Sequence, residues 1–191
     1  MLELAILGLL ADAPMHGYAL RKRLAGLLGG LRAFSYGSLY PTLRRMQAVG
    51  WIGEAGPDAA PPAPALRGRR ARIVYELTAA GKEHLAELLA DAGPTAWEDD
   101  RFDVHLALFA RTDADVRLRI LQGRRRRVVQ RRDGMRTSLT RTRDRLDRYT
   151  RELAEHGLES ADREVRWLDE LIAGERRTPT PRAIPSPEES P

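Results

Sequence analysis

Residues 36–54 read YGSLYPTLRRMQAVGWIGE. Leu39, Leu43, Met46 and Val49 recur at 4-3-3 spacing, which predicts an amphipathic helix over residues 36–49. Gly50 ends it. Trp51–Glu54 reads as a short strand, and Arg72–Leu77 (RIVYEL), rich in β-branched residues, as a second. The intervening GPDAAPPAPALRGRR is too rich in proline to fold alone, so the two strands enclose a flexible tip as a β-hairpin.

Upstream, residues 2–11 (LELAILGLLA) form an apolar run that predicts a buried helix, closed by Asp12-Ala13-Pro14. Residues 16–28 place Leu20, Leu24, Leu27 and Leu28 on one face, and Gly29-Gly30 stops that helix. Downstream, Thr78 caps a helix lined by Leu85, Leu88, Leu89 and Ala92, which ends at Gly93-Pro94. Three helices followed by a β-hairpin form a winged helix-turn-helix, an arrangement in which one helix enters the DNA major groove. The expected fold class is mainly α with a small β-hairpin: an N-terminal winged helix-turn-helix plus a C-terminal helical dimerisation domain.

On the third helix Leu39, Leu43 and Met46 face the core. Gly37, Pro41, Arg44 and Ala48 lie opposite, with Tyr40 and Arg45 on the flanks. Gly37 admits a close backbone approach, the Ser38 and Tyr40 hydroxyls suit phosphate oxygens, and Arg44 suits a guanine edge. Pro41 belongs in a first turn if Ser38 is the cap and beyond it if Ser35 is, and the sequence leaves that choice open.

The C-terminal part is helical. Residues 100–110 carry Phe102, Leu106 and Phe109 in register, and Thr112 opens a long helix with Asp115 in capping-box position. Its seam runs through Leu121, Val128, Met135, Thr142 and Tyr149, with Leu139, Leu146 and Leu153 alongside. Arg125 and Arg132 interrupt the first half, which makes the second half the better packing surface. Such a seam serves either a dimer or an intrachain bundle. Gly157 separates a last helix capped by Ser160, whose stripe is Leu158, Ala161, Val165, Leu168 and Ile172, with Trp167 and Leu171 beside it; Gly174 ends it. The expected domains are residues 1–92 and 93–177, followed by a proline-rich, disordered tail at 178–191.

The chain has 191 residues, no cysteine and a net charge of +5. Disulfides, thiolate metal sites and a cysteine nucleophile are thereby excluded. His16, His84, His105 and His156 lie far apart, and no phosphate-binding glycine loop or nucleophile elbow occurs, so no enzyme, catalytic residue, metal or cofactor is expected. Glu98-Asp99-Asp100 reads as a helix start rather than a cation site. No apolar run approaches ~18 residues, so no membrane association is expected and a cytoplasmic location is. Basic and acidic residues number 10 and 5 in residues 1–78, 2 and 7 in 79–110, 15 and 5 in 111–151, and 5 and 10 in 152–191. A basic N-terminal block suits a polyanion. The basic middle block, flanked by acidic segments, reads first as a helix face whose arginines pair with its neighbours; the sequence leaves open whether it also contacts DNA.

The N-terminal part resembles the PadR family of bacterial transcriptional regulators. The matching residues are Gly17-Tyr18, Gly37-Ser38-Leu39-Tyr40-Pro41-x-Leu43, Gly50-Trp51-Ile52 and Tyr75-x-Leu77-Thr78-x-x-Gly81, across most of residues 1–85. Phe102–Phe109 and Glu164–Glu170 resemble the longer subfamily more loosely. The resemblance implies a homodimeric, usually repressing regulator on an inverted-repeat DNA operator, one that often responds to a small-molecule effector. It implies DNA contacts at Tyr18, Gly37, Ser38, Tyr40, Pro41 and Arg44, with Arg45 on the flank and Arg67, Arg69, Arg70 and Arg72 in the wing. The dimer interface is expected at Leu139, Leu146, Tyr149, Leu153, Val165, Trp167, Leu168 and Leu171. Trp97 is the candidate effector contact, with packing as its alternative. A helical adaptor that keeps the winged domain for protein contacts is the competing reading, and Arg44 and the wing cations argue against it.

Overall fold

The computed structural model describes residues 1–27, 36–56 and 73–177. In chain order the elements are α1 (Leu2–Leu10), β1 (Met15–His16), α2 (Gly17–Leu27), α3 (Tyr36–Ala48), β2 (Ile52–Glu54), β3 (Val74–Leu77), α4 (Ala79–Ala90), α5 (Asp99–Ala107), α6 (Ala114–Thr142) and α7 (Arg148–Arg177). The expected wing tip with Arg67, Arg69, Arg70 and Arg72, the Gly29-Gly30 stop, Ser35 and the tail 178–191 lie outside the described residues. The chain divides into two compact units, Met1–Val116 and Arg117 onward.

The first unit is built around α1. Every residue from Leu4 to Leu10 is buried, as an all-apolar helix must be when it has partners on all sides. Leu20 and Leu24 of α2, Leu39, Leu43 and Met46 of α3, and Leu85 and Leu89 of α4 join the same cluster, together with Val104 and Leu108. Burying side chains such as Ile6, Leu7 and Leu43 contributes about 1.5–3 kcal/mol each.

The sheet has three antiparallel strands in the order β1-β3-β2. Met15 pairs with Tyr75 and His16 with Val74, while Ile52 pairs with Leu77 and Glu54 with Tyr75. The third strand, β1, corrects the expected two-stranded hairpin. His16 belongs to it rather than to the following helix, because Gly17 opens α2.

Two turns fix the far end of α3. Gly50 adopts φ +79°, Trp51 N–H donates to Met46 O at 2.9 Å and Gly50 N–H donates to Gln47 O at 3.0 Å. This is a Schellman closure, and it requires glycine's freedom at positive φ. Thr78 then joins the two strand ends. Its hydroxyl lies 2.6 Å from Gly50 O and 3.0 Å from Trp51 O, and Gly81 N–H donates to Thr78 Oγ1 at 3.0 Å. A side chain on Gly81 would collide with the Trp51 carbonyl.

Three C-terminal expectations are corrected. On α5 the buried set is Phe102, Val104 and His105, with Leu108 just beyond; the 3₁₀ turn at Phe109–Arg111 takes Phe109 off the helical wheel. The long helix α6 begins at Ala114, and the Thr112 hydroxyl donates to Leu108 O at 3.1 Å. The helix break falls at residues 143–147, not at Gly157. Asp147 accepts from Tyr149 N–H at 2.9 Å and Thr150 N–H at 3.1 Å, and so caps α7. The Thr150 hydroxyl donates to the same carboxyl, and that bond first, then the N–H bonds from Thr150 and Tyr149, hold it below the usual range. Helix α7 then continues through Gly157, Ser160 and Gly174 to Arg177.

In the second unit α6 and α7 are joined by ion pairs: Arg117 to Glu175, Arg124 and Arg131 to Glu164, Arg125 to Asp169, and Arg132 to Asp162. These contacts run antiparallel and bring Leu121 level with Ile172 and Val128 level with Val165, all four buried. The first half of the α6 seam is therefore the packed one, and the arginines that interrupt it reach across to carboxylates on α7.

Two stability outcomes follow. Gly81→Ala should cost about 3 kcal/mol through overpacking against backbone, read as a lowered urea midpoint with unchanged slope; an unaltered midpoint would show that the Trp51 turn yields freely. Glu164→Leu should cost about 3 kcal/mol by leaving Arg124, only 7% exposed, without its carboxylate. A melting temperature equal to that of the unaltered protein would show the bridge to be dispensable.

Candidate nucleic-acid interface

The helix α3 divides cleanly. Leu39, Leu43 and Met46 are buried in the core, whereas Gly37, Ser38, Tyr40, Pro41, Arg44 and Arg45 are exposed. Core packing thus holds the helix by one face and leaves the other open. Pro41 lies inside the helix, which begins at Tyr36, so it falls beyond the first turn.

Tyr18 at the start of α2 and Tyr40 on α3 are large hydrophobic side chains left 55% and 48% exposed. Gly17, which opens α2, is buried beside the rings of Tyr40 and Tyr75: a Cβ built there would stand in ordinary contact with both, 3.4 Å from Tyr40 Cε1 and 3.6 Å from Tyr75 Cε2. Tyr75 is buried in the middle strand. Burial pushes the Tyr75 phenol up, the nearby Tyr40 and Glu54 push the same way, and Arg44 opposes them. Arg44, Tyr40 and Tyr75 thus share one electrostatic neighbourhood.

The Arg45 guanidinium donates to Glu3 at 2.6 Å. Glu3 also meets His84 Nε2 at 3.0 Å, and the His84 ring stacks on Trp51 with centroids 3.9 Å apart. Arg45 thus ties α3 to α1 and α4, a role its place on the wheel did not reveal. The Nδ1 of His16 is buried with no hydrogen-bond partner among the described residues, so that nitrogen is not presented to a phosphate. Sequence reasoning passed over Arg21 and Lys22. Both are exposed on α2 one turn beyond Tyr18, and their i+3 and i+4 spacing from that tyrosine was the available signal.

A cavity of about 400 Å³ opens in the first unit among Leu4, Thr42, Arg45, Leu88, Arg101 and His105. It is in the size range of small-molecule sites. Burial holds His105 below its usual value, with Arg101 adding to the shift and Asp91 opposing it. Trp97, half-buried in the 3₁₀ turn Pro94–Trp97, does not line this cavity. Among the described residues no group of three or more His, Asp or Glu is placed to hold a metal, and no helix is long and apolar enough to cross a membrane. Asp99 opens α5, as the acidic triplet suggested.

On α7 the expected interface residues separate. Val165 and Leu168 are buried within the chain, which removes them from the surface and corrects their assignment to an interface. Tyr149 is 82% exposed, Leu153 72% and Trp167 40%. Leu139, Leu146 and Leu171 are half-buried.

No match is found among curated proteins. Solved structures similar to this chain include PadR of Bacillus subtilis in complex with operator DNA (19% identity, 91% of this chain and 97% of that chain, TM-score 0.41). The same Bacillus subtilis protein in complex with p-coumaric acid is similar at 18% identity, over 92% of this chain and 98% of that chain, TM-score 0.41. The PadR-like regulator BC1756 of Bacillus cereus is similar at 16% identity, over 92% and 98%, TM-score 0.39. The sequence itself matches the Transcriptional regulator PadR-like family over residues 6–87, a span that runs from within α1 into α4 and includes the three-stranded sheet. The chain therefore carries, over residues 6–87, a domain of the PadR-like family of transcriptional regulators.

Proposed function

We propose that the protein is a homodimeric repressor that binds an inverted-repeat DNA operator through α3 and releases it when a small molecule occupies the first unit. Residues 1–92 bind DNA and residues 93–177 form the dimer. The observation that carries this reading is the division of α3, with Leu39, Leu43 and Met46 buried while Gly37, Ser38, Tyr40, Pro41 and Arg44 face outward. A helix gripped by one face and bearing a guanidinium and hydroxyls on the other is equipped for base edges and phosphates. Tyr18, Arg21 and Lys22 on α2 add backbone contacts beside it, and the basic wing residues Arg67, Arg69, Arg70 and Arg72 extend them. Arg45 holds the helix in place through Glu3.

Dimerisation is supported by α7. Its inner stripe, Ala161, Val165, Leu168 and Ile172, is buried. Tyr149, Leu153, Trp167 and Leu171 fall on a second stripe, roughly 110° around the helix by its 3.6-residue turn, as two apolar pairs with Ser160 and Glu164 between them. A second copy of the same stripe is the natural cover for it in a two-fold dimer. Release by an effector is supported by the cavity of about 400 Å³, because its lining includes Thr42 and Arg45 of α3. A molecule seated there touches the helix that reads DNA.

Arg44→Ala should weaken operator binding by about 1–3 kcal/mol and relax preference at one base position. Equal selectivity of the two proteins across a substituted operator set would contradict the base-reading role. Leu153→Glu combined with Trp167→Glu places charge in the outer stripe without touching the buried one, and light scattering should then report monomer with helix content retained. A variant that still weighs as a dimer would place the interface elsewhere.

A further inference from the structure

Within the second unit a notch of about 360 Å³ opens on one flank of the α6–α7 pair. Gln122, Arg125 and Arg126 of α6 line it, together with Asp169, Ile172 and Arg176 of α7. Three guanidiniums therefore border one space that holds a single carboxylate. That carboxylate is already engaged, because Arg125 Nε donates to Asp169 Oδ1 at 2.5 Å and Nη2 to Oδ2 at 3.3 Å. Arg126 and Arg176 are exposed, and Arg176 has no carboxylate partner among the described residues. On the other flank two carboxylates, Glu164 and Glu175, serve Arg117, Arg124 and Arg131.

We propose that this notch binds a polyphosphate group, a diphosphate or longer. Guanidiniums match phosphate oxygens with paired N–H donors, and a cleft bordered by one sign of charge concentrates the opposite ion. The cations stand at both ends of the notch. Arg125 and Arg126 lie level with Asp169, and Arg176 is seven residues further along α7, about 10 Å at 1.5 Å per residue. A single anionic group reaches one end; linked phosphates reach both. Gln122, half-buried between the ends, adds an amide donor, and the buried Ile172 backs the notch. Asp169 does not oppose an anion as a bare charge would, since Arg125 neutralises it. The proposed dimer leaves the site open: Trp167 and Leu171 are each two residues from Asp169, about 160° around the helix. The phosphates belong either to a free phosphorylated ligand or to a nucleic-acid strand. The site is independent of α3 and of its reading as a DNA-binding helix.

Calorimetric titration of inorganic pyrophosphate into the full chain tests this, with ionic strength held constant by sodium chloride. The expected result is one saturable event per chain, weakened roughly ten-fold or more by Arg126→Gln combined with Arg176→Gln. Arg127→Gln combined with Arg141→Gln removes the same charge from exposed positions of α6 outside the notch, and should change affinity by about two-fold or less. All four positions are exposed, and circular dichroism verifies that both variants keep their helix content. Absence of saturable binding, or equal weakening by the two variants, would overturn the proposal. A competition arm then identifies the source of the phosphates. Duplex DNA that displaces pyrophosphate from the unaltered chain supports a nucleic-acid strand, and pyrophosphate retained at saturating duplex supports a free phosphorylated ligand.

Discussion

The architecture of the first unit depends on one constraint: α1 is apolar on every side and has to be enclosed. Leu4 to Leu10 are all buried, so α2, α3 and α4 must each turn an apolar face toward it, and their leucines meet it in one cluster. That requirement fixes which side of α3 is hidden. The outward side is then free for polar chemistry, and the Schellman closure at Gly50 with the Thr78 clamp holds the helix at its far end. Glu3 carries the constraint into the site, since it rises from α1 to hold Arg45.

Charge organises the second unit. The basic block at 111–151 and the acidic residues after it are the two sides of one antiparallel helix pair, bridged by Arg117, Arg124, Arg125, Arg131 and Arg132. The surplus of arginine on α6 is accordingly a packing device for those five residues. Exposed pairs of this kind contribute little individually. The Arg124–Glu164 pair differs, because Arg124 is buried and its charge needs that partner.

Where local chemistry determined the outcome, the sequence was legible. The spacing of Leu39, Leu43 and Met46, the glycine at position 50 and the cap at Thr78 each name their own structure, and the open face of α3 followed from them. Strand β1 was not legible, because two residues, Met15 and His16, are too few to show alternation and are ordered by pairing with β3. The break before α7 was hidden because the heptad spacing runs through it unchanged from Thr142 to Tyr149; the cap at Asp147 overrides that spacing. The tie from Arg45 to Glu3 was not legible, because the two residues are 42 positions apart in sequence. The cavity beside α3 drew on α1, α3, α4 and α5 together, and no local pattern announces such a site.

The central claim is that the open face of α3 reads DNA sequence. The most direct measurement is a titration of the purified chain against the DNA upstream of its own gene, at two salt concentrations and with unrelated duplex as competitor. The account predicts a discrete complex that survives competitor and weakens as salt rises, because phosphate contacts release counterions. Binding that competitor removes completely, with no duplex preferred over another, would contradict it.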